Sequence, residues 1–90
     1  MSDPELRLKE AEAALKAAQA TAEETRQAFR IAQTAYFAAD DRTRRIGGLK
    51  EDRLETAIDY AEAADKLASA LDAYDQAALD AYAEWTKKPL

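Results

Sequence analysis

The sequence predicts an all-α protein: an antiparallel hairpin of two long, coiled-coil-like helices. Three observations carry this. Alanine supplies 23 of the 90 residues and valine none, a composition that favours helix and brings small packing groups. Apolar positions recur at alternating spacings of three and four along both halves of the chain. The only two glycines, Gly47 and Gly48, stand together at mid-chain, where a helix can end with φ > 0 at no Cβ cost and the chain can reverse.

The elements follow in order. Ser2-Asp3-Pro4-Glu5 is a helix start: Asp3 or Ser2 caps, Pro4 fits the first turn, and Glu5 suits the positive end of the helix dipole. The first helix is predicted over about residues 3–46. Its core series is Leu8, Ala11, Leu15, Ala18, Ala22, Thr25, Phe29, Ala32, Tyr36, Ala39, Thr43 and Ile46, a sustained seven-residue repeat that implies a left-handed supercoil. The turn is placed at 47–48. The second helix runs over about 49–87, with Glu51, Asp52 and Glu55 complementing its N-terminal dipole and Lys87 and Lys88 closing it before Pro89. Its core series is Leu54, Ala57, Ala61, Ala64, Ala68, Leu71, Asp75, Ala78, Tyr82 and Trp85.

Close packing sets large groups against small ones. Placing Leu8 by Trp85, Ala22 by Leu71 and Phe29 by Ala64 does so in nearly every layer. A register one heptad away sets Thr25 beside Asp75 and Phe29 beside Leu71. The first is preferred, and the second offers Asp75 a hydroxyl partner.

A second apolar series runs beside the first: Ala14, Ala17, Ala28, Ile31, Ala35 and Ala38 on helix 1, and Tyr60, Ala63, Leu67, Ala70, Tyr74, Ala77 and Ala81 on helix 2. Two adjacent seams per helix are what a bundle requires, because each helix there touches two neighbours. A domain of this size also buries little surface on its own. The expectation is therefore a homodimer closing into a four-helix bundle through Ile31, Tyr60, Leu67 and Tyr74. Asp75, the one charged residue in either core series, reads as a core polar group that fixes register or orientation.

Charge is unevenly distributed. The net charge is −5, yet residues 5–39 carry five bases and five acids, whereas residues 54–86 carry eight acids and Lys66 alone. Glu55, Asp59, Glu62, Asp80 and Glu84 form an acidic face opposite the core series of helix 2, read as a solvated outer surface. Arg42, Arg44, Arg45, Lys50 and Arg53 make the turn basic. Asp40 to Arg44 and Asp41 to Arg45 are acid-before-base pairs at i,i+4 that account for much of that cluster, and no aromatic or glycine-rich loop accompanies it. Phosphate binding at this tip is the alternative function.

No motif for catalysis, a cofactor or a metal is found. Cysteine and histidine are absent, which removes disulfides, thiolate chemistry, imidazole bases and the usual zinc ligands. Di-metal bundle sites use Glu-x-x-His. No apolar run is long enough to span a bilayer and no signal pattern opens the chain, so the expected location is cytoplasmic, with a residue usage heavy in Ala, Arg and Asp that points to a bacterial or phage source. In length and mid-chain turn the chain resembles the small secreted helical hairpins with a Trp-x-Gly turn, but its turn reads Ile46-Gly47-Gly48 and their Tyr-x-x-x-acid signal occurs only at Tyr36 to Asp40. It also resembles plasmid-copy-number RNA-binding hairpins that dimerise into four-helix bundles, whose basic face has no counterpart on helix 2. Neither family is adopted. The expected function is a non-enzymatic interaction module, an adaptor, assembly factor or small inhibitor, that engages itself and an unidentified protein partner and takes no small-molecule substrate.

Overall fold

The computed structural model describes residues 2–87. Among them the chain forms three helices and no strand: α1 (Asp3–Ala38), α2 (Asp41–Ile46) and α3 (Leu49–Lys87). The long helices α1 and α3 pack antiparallel into a rod of 72 × 15 × 14 Å. This is the hairpin that the two apolar repeats imply. Ser2 caps α1, its side chain accepting from the Glu5 backbone N–H at 3.4 Å, with Pro4 in the first turn. Lys88 and Pro89, expected to end the second helix, lie outside the described residues.

The first helix stops eight residues before the boundary placed at Ile46. Ala39 and Asp40 are extended, and a separate short helix follows. Local chemistry explains the break. The Asp40 carboxylate accepts from the Thr43 backbone N–H at 2.7 Å, capping α2, and Asp is among the residues whose side chains compete best with a continuing helical backbone. On the other side of the break, Arg44 donates from Nε to the Tyr36 carbonyl at 2.8 Å and from a terminal nitrogen to the Phe37 carbonyl at 3.1 Å. Those carbonyls are orphaned where α1 ends. The reversal is thus a corner built from 39–48, in which the glycines form only the second half. Among the described residues Gly48 carries the one positive φ, 68°, and leads directly into α3.

On α1, the residues facing α3 are the predicted series Leu8, Ala11, Leu15, Ala18, Ala22, Thr25, Phe29, Ala32, Tyr36 and Ala39. Thr43 and Ile46, assigned to the same series, are exposed beyond the break. On α3 the seam is not the series expected. Tyr60, Ala63, Leu67, Ala70, Tyr74, Ala77 and Ala81 face α1, with Ala63 only 4% and Ala77 9% exposed, whereas Leu54, Ala61, Ala64, Ala68, Leu71, Asp75, Tyr82 and Trp85 are exposed. The physical reason lies in Asp75. Burying the other series would carry an unpaired carboxylate into an Ala-rich seam at a cost of several kcal/mol, and the observed choice leaves it in water.

The register moves with the seam. The Phe29 and Tyr60 rings are 6.1 Å apart, and Arg53 lies over Tyr36, 4.9 Å from its ring centre. Both pairings sit about one helical turn from the preferred alignment and further from the second. Thr25, which would have served as partner for Asp75, donates instead to the Thr21 and Ala22 carbonyls of its own helix. Its hydroxyl therefore needs nothing from α3.

Two expectations follow. Ala63→Leu or Ala77→Leu should lower stability by about 1 to 3 kcal/mol through overpacking of the seam, while Ala73→Leu on the exposed face should change it by less than about 0.5 kcal/mol; urea titration followed by circular dichroism reads both. The second concerns Asp40. The hydrogen bond from the Thr43 backbone holds its carboxyl below the usual aspartate range, with the Thr43 side chain and the Arg44 charge adding to the effect. A depressed folded-state pKa contributes stability above the unfolded value and loses it as pH falls through the folded one. Asp40→Asn keeps an acceptor without the charge, so the melting-temperature advantage of wild type over Asp40→Asn should be present at pH 7 and disappear as pH falls below about 4.

Candidate interaction surfaces

Three surfaces were legible as candidates: the basic corner, the acidic face of α3 and an apolar seam for a second chain. At the corner, the five bases separate into two sets. Arg44, half-buried, is spent on the Tyr36 and Phe37 carbonyls and on Asp41, 3.3 Å away, and its guanidinium also lies 5.2 Å from the Tyr36 ring centre. Arg53 stacks on Tyr36 and on Phe37, 4.9 and 5.0 Å from their centres. Its Nε is buried with no hydrogen-bond partner, so the ring faces supply the electrostatic compensation that an acceptor would otherwise give. Tyr36 and Phe37 meet edge to face at 5.2 Å. Arg42, Arg45 and Lys50 are exposed. The observed ion pair joins Arg44 to Asp41 at i,i+3, and the Asp40 carboxylate accepts from the Thr43 backbone N–H; the expected i,i+4 pairs do not form, because Asp40 serves as the cap of α2 and Arg44, reaching back to the end of α1, takes Asp41.

On α3, Glu55, Asp59, Glu62 and Asp80 are exposed, and Glu84 is half-buried at the edge of the seam. Among the described residues the ion pairs are Lys16 with Glu12, Arg26 with Glu23 and Arg44 with Asp41. None reaches the acids of α3. Among the described residues no cluster of three or more ligating side chains could hold a metal ion, and no helix is long and apolar enough to cross a membrane.

The residues expected to meet a second chain divide. Tyr60, Leu67 and Tyr74 face α1 and belong to the hairpin itself. Ile31 is 71% exposed and borders a groove with Ala28, Ala35 and, from α3, Leu49, Asp52 and Glu55. Asp75, expected in the core, is exposed. The large unpartnered apolar surface lies on α3: Leu54, Ile58, Leu71, Leu79, Tyr82 and Trp85, with Trp85 68% and Leu71 47% exposed. Tyr82 and Trp85 stack at 6.1 Å. Between these large groups the strip is floored by Ala57, Ala61, Ala64, Ala68 and Ala78.

The strip and the Ile31 groove open on opposite sides of the rod. Beside Ile31 stand the acids of α3; beside Ala64 stand Gln19, Glu23 and Arg26 of α1, lining a groove of about 250 Å³. Sequence reasoning found two seams on α3 but exchanged their roles, and it passed over Ile58 and Leu79. These recur at multiples of seven from each other on the flank of the strip, a spacing that would have placed them there. The chain matches no protein-family model, no curated protein and no solved structure in comparisons with each.

The corner carries its own test. Arg53→Ala should cost about 0.5 to 2 kcal/mol by removing the guanidinium from two ring faces, and Arg44→Ala should be destabilising because the Tyr36 and Phe37 carbonyls lose their donor. Arg42→Ala and Arg45→Ala should stay within about 0.5 kcal/mol of wild type. Urea midpoints of the four variants at one pH and salt concentration make the comparison.

Proposed function

We propose that the protein is a non-enzymatic interaction module, an adaptor, assembly factor or small inhibitor, that engages its partners through the exposed apolar strip of α3. The single observation that carries this reading is the strip itself. Six large apolar side chains lie exposed along one helix, on an alanine floor that lets another helix approach closely, and contiguous apolar surface of this kind marks a contact region. The strip lies along one continuous helix, α3, already formed in the hairpin, so a docking helix meets a preorganised face and little ordering cost opposes binding.

The corner favours this reading over phosphate recognition. Arg44 and Arg53 are committed to carbonyls and rings, which leaves Arg42, Arg45 and Lys50 as free charges. Three cations neutralise few phosphates, and affinity for nucleic acid depends steeply on how many are neutralised.

A capture experiment from extract of the native host compares wild type with two double variants. Leu71→Glu with Tyr82→Glu places carboxylates in the strip without touching the seam and should lose the bound species. Arg42→Ala with Arg45→Ala should keep them. Retention by the strip variant and loss by the corner variant, together with salt-dependent binding of RNA or duplex DNA, would establish the nucleic-acid reading in its place.

A further inference from the structure

We infer that the occupant of the α3 strip is the same strip of a second copy, laid antiparallel about a two-fold axis, an inference that rests on the interaction reading above. The strip is complementary to its own reversed image. Setting Leu54 against Trp85 of the partner subunit brings Ala57 to Tyr82 of the partner subunit, Ala61 to the partner's Ala78 and Ala68 to the partner's Leu71. Apart from the outermost layer, the bulky groups meet alanine or each other's gaps, as close packing requires. Ile58 and the partner's Leu79 lie on the same flank, two residues or about 3 Å out of level, and extend the apolar contact. The paired segment spans about 45 Å of helix.

The same two-fold makes an independent demand on α1, which the hairpin register ties to α3 through Phe29 with Tyr60 and Tyr36 with Arg53. With that register, the axis passes near residues 19 and 20 of α1. Glu23 and Arg26 stand on the side of the rod where the strip opens, and Glu12 and Lys16 lie on the same helical face three turns away. The axis sets Lys16 level with Glu23 of the partner subunit and Arg26 level with Glu12 of the partner subunit. Nothing about the apolar strip requires the α1 charges to alternate in sign about that point, so their agreement is charge complementarity in support of the same axis. Within one chain these four residues form only the exposed pairs Lys16 to Glu12 at 3.4 Å and Arg26 to Glu23 at 3.5 Å. Asp75 meets the partner's Ala64 beside Arg26 of the partner subunit, so the carboxylate whose desolvation keeps this series out of the hairpin seam is paired with a cation between two copies. On the flank shared with Ile58 and Leu79, Asp65 and the partner's Asp72 fall two residues out of level, and Lys9 comes level with the partner's Arg30; these like-charged pairs oppose the axis and, like the attractive ones, are screened by salt.

Light scattering of the full chain up to about 100 µM, at which a ~10 µM dimer holds roughly four-fifths of the chains, should give a mass that rises with concentration toward twice the 9.9 kDa chain mass. Orientation is read by cysteines placed in a chain that has none. Ala61→Cys with Ala78→Cys should oxidise to a covalent dimer, because the two sites are too far apart along one helix to close within a chain, and Ala61→Cys alone should stay monomeric on denaturing gels. Lys16→Glu with Arg26→Glu should weaken the dimer about tenfold, and adding Glu12→Lys with Glu23→Lys should restore it, with helicity by circular dichroism unchanged in every variant. A dimer that links through Ala61→Cys alone, or that ignores the charge reversals, overturns the axis. A monomeric wild type overturns the second copy; if Leu71→Glu with Tyr82→Glu still loses captured partners, the strip remains an interaction surface with another occupant, and if it loses none, both readings fall.

Discussion

The structure depends on how closely α1 and α3 approach along a seam floored by alanine. Ala63 and Ala77 are the most enclosed residues on α3, and around them Tyr60, Leu67 and Tyr74 repeat every seventh position, so each turn pair offers one large group and one small one. Helices packed this way share a narrow contact. A two-helix rod can bury little more, and that leaves the remaining large apolar side chains, including Trp85 and Leu71, outside. The unpartnered strip is therefore a consequence of the seam geometry and of having only two helices to bury two apolar series.

Fold class, helix directions and the inward face of α1 were legible because they rest on period and composition, which act locally and repeat many times. The α3 face was not. The acidic residues Asp59, Glu62 and Asp80 point away from the strip that contains Leu54 and Leu71, and this favours burying that strip; what opposes it is one residue, Asp75, whose desolvation outweighs the pattern. A single charge deciding between two apolar series is invisible to periodicity. The end of α1 was missed for a related reason: Asp40 and Thr43 fit a continuing helix by spacing, and only the side-chain cap and the Arg44 bonds to the Tyr36 and Phe37 carbonyls show that breaking the helix costs little.

The corner joins two jobs that the sequence separates. Arg44 closes the end of α1 from the far side of the break, while Arg53, from α3, lies over the two rings that end α1. Register along the whole hairpin is then anchored at one point by stacking as well as by the seam. Two of the five bases that look like a phosphate site in the linear sequence are fasteners, a distinction that requires knowing which carbonyls and rings lie within reach.

The only tryptophan stands at the open end of a rod 72 Å long, as far from the corner as the fold permits. Its emission is a local witness. Helix ends fray before helix centres, so indole fluorescence of an isolated hairpin would register the loosening of the last turns of α3 at temperatures where ellipticity, averaged over α1 and α3 together, has barely moved. Two optical signals that disagree would then be reporting position along the rod, and would be misread as an intermediate by anyone expecting a single transition.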